Sequence, residues 1–133
     1  MFNNLIKISI FTQIGQKYYY LLFIYVISLK YYKFMTYKVT EEGNVSTVFL
    51  NGEIDMDVTE KAKEQILPLV EAGKEVHLNL KDVSYMDSSG ISILIESHQK
   101  ALELNTKVII KEVSKSVLKV IMMAKLEQIL NLE

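Results

Sequence analysis

Cysteine, arginine and tryptophan are absent from these 133 residues, and proline occurs once and histidine twice. The lack of cysteine excludes disulfides, thiolate zinc sites and cysteine nucleophiles together, and two widely spaced histidines make no metal cluster. The fold must therefore be stabilised by packing, for which the chain is long enough. Without arginine there is no bidentate fork of the kind that reads base edges and clamps phosphates, so nucleic acid is not an expected partner. A Gly-x-Ser-x-Gly elbow is missing, as is a Gly-x-x-x-x-Gly-Lys loop, and Lys81 precedes rather than follows the turn that could imitate one. No cofactor, metal or enzymatic activity is expected. His77 falls in a strand pattern and His98 two turns into a helix, and they are expected to be a solvent-facing strand residue and a helix-face residue with no chemistry.

Acidic residues are also missing from residues 1 to 34, whose only charges are Lys7, Lys17, Lys30 and Lys33 among many Ile, Leu, Phe and Tyr. From Lys38 onward charges recur every few positions. The change divides the chain into an apolar, basic extension, 1–34, and a domain, 35–133. The domain carries eleven lysines against sixteen acids, a net of about −5, which suits solubility and disfavours polyanions. The longest uncharged apolar run, Tyr18 to Leu29, is shorter than the ~20 residues that span a bilayer, so a membrane partner is not expected. No small-x-small cleavage site follows it. The expected location is cytoplasmic. Met35 stands where the composition changes, and the upstream text is what translated AT-rich non-coding DNA would give, so an over-extended start is expected. An interfacial anchor and an extra packed helix remain open.

Within the domain, Tyr37 to Thr40 and Val45 to Asn51 are β-rich runs around the turn signal Glu41-Glu42-Gly43-Asn44, which predicts a hairpin ending at Asn51-Gly52. Asp55 or Asp57 is placed to cap a helix with the stripe Val58, Ala62, Ile66, Leu69 and Val70, ending near Gly73. Pro68 predicts a kink or unwinding of its last turn. Glu75 to Leu80 alternates as a strand does. A second helix carries Ile91, Leu94, Ile95, Ala101 and Leu102, with Asn105 able to close it. Thr106 to Ile110 is β-branched, and Val113, Val117, Val120, Ile121 and Ala124 make a last helical stripe. Of Met122 and Met123, whose flexible thioethers suit adaptable surfaces, at least one is expected in the core. The order ββαβαβα implies an α/β fold with a small, mostly parallel sheet and helices packed on it.

The segment Lys81 to Gly90 reads as a polar turn, a short apolar pair and then Asp87-Ser88-Ser89-Gly90 opening a helix. First-turn amides have no intrahelical acceptor, and Asp87 or a serine hydroxyl can cap them. Gly90 would let another chain approach the backbone. Three small polar residues in a row exceed what capping needs.

Gly52-Glu53-Ile54-Asp55, followed some thirty residues later by Leu80 to Gly90, resembles the two motifs of the bacterial anti-sigma factor antagonists, which are single STAS domains. The resemblance covers essentially Thr36 to Glu133 and implies a STAS-type fold. It also implies partner switching. The unmodified protein would bind an anti-sigma factor that is also a serine kinase and free the sigma factor, phosphorylation of Ser88 would reverse this, and a metal-dependent serine phosphatase would restore it. Asp55, Asp87, Ser89 and Gly90 match positions at or near the family's partner-binding surface. Two departures stand out. Ile91-Ser92-Ile93 follows Gly90 without the family's second glycine, and Val120 to Leu126 lacks its Phe-Asp before a Gly-Leu turn. The second departure bears on partner identity; the first, with the apolar extension, leaves an alternative: an unphosphorylated STAS scaffold in a sensor or membrane-transport assembly.

Overall fold

The computed structural model describes residues 2–34 and 37–133, with side chains for 12–30 and 37–133. Met35, the expected start of the domain, lies outside the described residues. By its internal contacts the chain divides into two units, Met1–Met35 and Thr36–Glu133. The first holds a single helix, α1 (Phe2–Phe34), on which the side chains of residues 12–30 are all exposed. Among the described residues no helix is long and apolar enough to cross a membrane.

The second unit begins with a hairpin. Gly43, at φ +59°, and Asn44 reverse the chain between β1 (Lys38–Glu42) and β2 (Val45–Ile54), and Glu42 faces Val45 across the turn. The chain then alternates through α2 (Met56–Glu71), β3 (Glu75–Met86), α3 (Ser88–Glu103), β4 (Val108–Lys111) and α4 (Lys115–Met123), and closes with a 3-10 turn and β5 (Asn131–Leu132). The sheet order is β1-β2-β3-β4-β5, with β1 antiparallel to β2 and every other pair parallel. This is the expected ββαβαβα with one further edge strand. The parallel order puts the start of α2, α3 and α4 along one edge of the sheet, beyond the strands' C-terminal ends.

Alternate residues of the strands, among them Val48, Leu50, Leu78, Leu80 and Ile110, are buried with the stripes Ala62/Ile66/Val70, Leu94/Ala101 and Val117/Ile121 of the helices. Burying one such aliphatic side chain stabilises the fold by roughly 1.5–3 kcal/mol. On the other face of the sheet Thr47, Phe49 and His77 are half-buried.

Five expectations require correction. The hairpin does not end at Asn51-Gly52, because β2 continues to Ile54, with Gly52 at φ +72°. Nor is Lys81-Asp82 a turn, because β3 continues to Met86. The register between β2 and β3 shifts twice, between Phe49 and Asn51 and between Gly52 and Glu53, so twelve residues of β3 run beside ten of β2. Each bulge adds an unpaired residue and resets the alternation. Burial therefore passes from Val76, Leu78 and Leu80 to Val83 and Met86, and the period of two disappears from the sequence. Third, of the kink or unwinding expected at Pro68, the unwinding does not occur: α2 runs through Pro68 to Glu71, and the Ala72 amide donates to the Pro68 carbonyl at 3.0 Å. Fourth, His77 is half-buried and bonded to Glu75 at 2.7 Å rather than facing solvent, whereas His98 lies on α3 as expected, on its buried face. Fifth, Met122 and Met123 are both exposed, and neither fills the core.

Candidate functional site

The last register pair of β2 and β3 is Ile54 with Met86, so the residues that follow, Asp55 and Asp87, leave neighbouring strands side by side. The Asp87 amide donates to the Ile54 carbonyl at 3.4 Å and ties the two junctions together. Both aspartates sit in extended backbone and cap the helices they precede. Asp55 Oδ1 accepts from the Asp57 amide at 3.0 Å, and its carbonyl accepts the Thr59 hydroxyl at 2.6 Å. Tyr37 is held to α2 by Gln65. Its amide donates to Gln65 Oε1 at 3.0 Å and its carbonyl accepts from Gln65 Nε2. Burial, and then the Asp55 charge, push its phenol above the usual tyrosine range.

Asp87 has the larger set of partners. Its Oδ1 accepts from the Ser89 amide at 2.9 Å, the Gly90 amide at 3.1 Å and the Ser89 hydroxyl. The Ser89 hydroxyl, and then the Gly90 amide, hold the carboxyl below the usual aspartate range, so the site keeps this negative charge at neutral pH. The Ile91 amide donates to the Asp87 carbonyl at 3.0 Å, which starts the helical ladder.

These bonds separate the two serines. Ser89 is half-buried and its hydroxyl proton is committed to Asp87, whereas Ser88 is exposed and its hydroxyl makes no hydrogen bond among the described residues. Ser92, one turn on, donates its hydroxyl to the Ser89 carbonyl at 2.6 Å. The hydroxyl open to a reacting group in the first turn of α3 is that of Ser88.

Gly90 differs from its expectation. It is buried, and a Cβ built there would stand 2.6 Å from the Ile54 carbonyl oxygen and 2.4 Å from Met86 Cγ. The close approach that needs a glycine is thus made by the chain itself, not left open for another molecule. Gly90 acts on the surface by letting α3 begin against the end of β2.

Two surface residues escaped the sequence reading. Met56, just after Asp55, is 77% exposed, and Tyr85, two residues before Asp87, is 52% exposed. They flank the two aspartates with apolar area in an otherwise acidic rim that includes Glu53 and Asp57. Tyr85 read only as half of a short apolar pair, with no exposure assigned to it. The bulge that sends Met86 inward leaves Tyr85 outside. Among the described residues no group of His, Cys, Asp and Glu is arranged to hold a metal ion.

An exposed hydroxyl, a fixed carboxylate and flanking apolar side chains thus lie together where β2 and β3 pass into α2 and α3. Comparison with known proteins identifies the family. The family model for the STAS domain matches residues 36–133. The anti-sigma-B factor antagonist of Bacillus subtilis (strain 168) is 39% identical over 57 residues, which are 43% of this chain and 52% of that protein. The chain thus spans about half the length of that curated relative. The solved structure of the anti-sigma factor antagonist SpoIIAA in its unphosphorylated form superposes with a TM-score of 0.63 at 20% identity, covering 74% of this chain and 88% of that one. For the Bacillus cell fate determinant SpoIIAA in the phosphorylated form the values are 0.60, 19%, 74% and 91%. At those identities the two structures bear on the fold alone.

Proposed function

The chain belongs to the STAS domain family, and from that membership and the geometry at Ser88 we propose that it is a cytoplasmic, non-enzymatic anti-sigma factor antagonist. Unmodified, it binds an anti-sigma factor that is a serine kinase, and the sigma factor is freed. Phosphorylation of Ser88 releases the kinase, and a metal-dependent serine phosphatase restores the binding form. Asp55, Asp87 and Ser89 belong to the partner-facing surface with Met56 and Tyr85, and Gly90 supports it from inside.

One observation carries the reading: of the two serines that open α3, Ser88 alone offers an exposed, unbonded hydroxyl. In the transfer, the Ser88 oxygen bonds to the γ-phosphorus of ATP, the bond to ADP breaks, and the hydroxyl proton leaves to a base on the kinase. Asp87 is poorly suited to be that base, because the hydrogen bonds it accepts hold its carboxyl below the usual aspartate range.

The release step follows from charge. A phosphate adds about −1.5 to −2 at neutral pH. At a helix N-terminus the macrodipole returns only about 0.3–1 kcal/mol, and the Ser89 and Gly90 amides that would otherwise receive the new anion are occupied by Asp87. The free domain tolerates this in water. In a docked interface the dianion is desolvated beside a carboxylate, where an unpaired charge costs roughly 2–5 kcal/mol. Binding then weakens about 30-fold to several thousand-fold without loss of the fold.

Incubating the full chain with an anti-sigma factor kinase and ATP tests the reading. Ser88→Ala is expected to take up no phosphate, and Ser88→Asp to bind the kinase at least about 30-fold more weakly than the unsubstituted chain. Phosphate uptake by Ser88→Ala, or undiminished binding by Ser88→Asp, would refute it. Failure of the unsubstituted chain to bind the kinase at all would favour an unphosphorylated STAS scaffold.

A further inference from the structure

The helix α4 has two apolar faces, and the fold covers one of them. Val117 and Ile121 are buried in the core. On the other side Lys115, Leu118, Lys119, Met122 and Met123 line a shallow open groove, with Met122 55% and Met123 77% exposed. The positions follow the i, i+3, i+4, i+7 spacing of a single helical stripe, so this is a second stripe and not scattered apolar residues.

Its charge is the opposite of its surroundings. Between Val113 and Leu126 there are three lysines, Lys115, Lys119 and Lys125, and no acid, whereas the domain as a whole carries a net of about −5. The stripe also begins beside the Ser88 junction. Ser114 Oγ donates to the Val83 carbonyl at 2.7 Å and Ser116 Oγ to the Ser84 carbonyl at 3.0 Å, which fixes the first turn of α4 on the strand that leads to Asp87.

We propose that the outer stripe of α4 is a second docking surface, continuous with the Ser88 edge, for a protein face that offers an apolar ridge flanked by carboxylates. Lys115 and Lys119 pair with the carboxylates while Leu118, Met122 and Met123 receive the ridge, where thioethers adapt to the shape they meet. An anionic lipid surface would attract the same lysines, but it would repel the remainder of the domain. The inference rests on the reading under Proposed function in assigning this face to the anti-sigma factor kinase. It adds to that reading a partner contact that phosphorylation of Ser88 does not directly touch.

The test compares kinase binding by the full chain with that of Ser88→Asp, Met122→Glu and Lys119→Glu, with amide exchange followed over residues 115–123. Met122 and Lys119 are exposed, so both variants are expected to melt with the unsubstituted chain. Each is expected to bind about tenfold or more weakly, with the loss at Lys119→Glu shrinking as salt is raised, and the complex is expected to slow exchange along α4. If the unsubstituted chain does not bind the kinase, the anti-sigma reading and this surface fall together. If Ser88→Asp loses binding while Met122→Glu and Lys119→Glu keep it, the surface alone is overturned. Binding to phosphatidylserine-containing vesicles, or self-association, that Met122→Glu abolishes while kinase binding persists would equally overturn it.

Discussion

The carbonyl oxygen of Ile54 occupies the space that a side chain on Gly90 would need, 2.6 Å from the Cβ position. The same oxygen accepts the Asp87 amide, so one backbone atom at the end of β2 sets both the approach and the capping residue of α3. Met86 can swing away from a new methyl group, but a backbone carbonyl in a parallel sheet cannot. Gly90→Ala is therefore expected to cost about 1–3 kcal/mol, measured by denaturant unfolding, as inserted bulk does in a filled core. A variant as stable as the parent would show that α3 can shift freely.

Ser88 and Ser89 are expected to separate in stability as well as in phosphate uptake. Ser89→Ala removes a hydroxyl donor from Asp87 and should cost about 1 kcal/mol, yet still accept phosphate at Ser88. Ser88→Ala should leave stability within about 0.5 kcal/mol and abolish uptake. Thermal melts and mass measurement after kinase treatment read the two effects independently. Uptake by Ser88→Ala that Ser89→Ala lacks would exchange the roles.

Asp87 also gives the domain a pH signature. Its folded pKa lies below the ordinary value of 3.8, so its contribution is present above that value and is lost as pH falls through the lowered one. Glu41, held down mainly by its hydrogen bond to Lys74, acts with the same sign. Asp87→Asn keeps a capping oxygen but not the charge. It is expected to melt below the parent at neutral pH, with the gap closing as the buffer is taken below the ordinary aspartate value of 3.8. A gap that stays constant with pH would place the contribution of Asp87 elsewhere.

Buried polarity in α3 supplies a change of opposite sign. Ser97 Oγ and His98 Nδ1 are buried without a hydrogen-bond partner among the described residues. An unsatisfied hydroxyl is paid for in desolvation with nothing returned, and alanine is the better helix former. Ser97→Ala is expected to raise stability by about 1 kcal/mol in calorimetry. A loss of that size would reveal a partner for the hydroxyl.

The reading of Asp55 and Asp87 as caps was legible because capping is local. An aspartate before a helical stripe needs only the next three amides, and these are found within hydrogen-bond reach at both junctions. Asn105 closing α3 was legible for the same reason: it adopts φ 55°, the left-handed conformation in which Asn follows a helix. The long β3 was not. Alternation identifies a strand only while its ladder is regular, and two bulges broke it at Lys81-Asp82 and Ser84-Tyr85. The two-residue β5 has no period at all, and it exists because Asn131 and Leu132 meet Ile109 and Ile110 on an open strand edge.

By itself, then, the amino-acid order determined the α/β succession, the absence of thiol chemistry, and the candidate serine at the head of a helix, since each depends on composition or on residues close together along the chain. Tertiary structure decided which of two adjacent hydroxyls is free, why Gly90 must lack a side chain, and that Tyr85, Met56 and the methionines of α4 face outward. Those properties depend on atoms brought in from β2 and β3 or left uncovered by the core, and such distances are set by packing between segments some thirty residues apart.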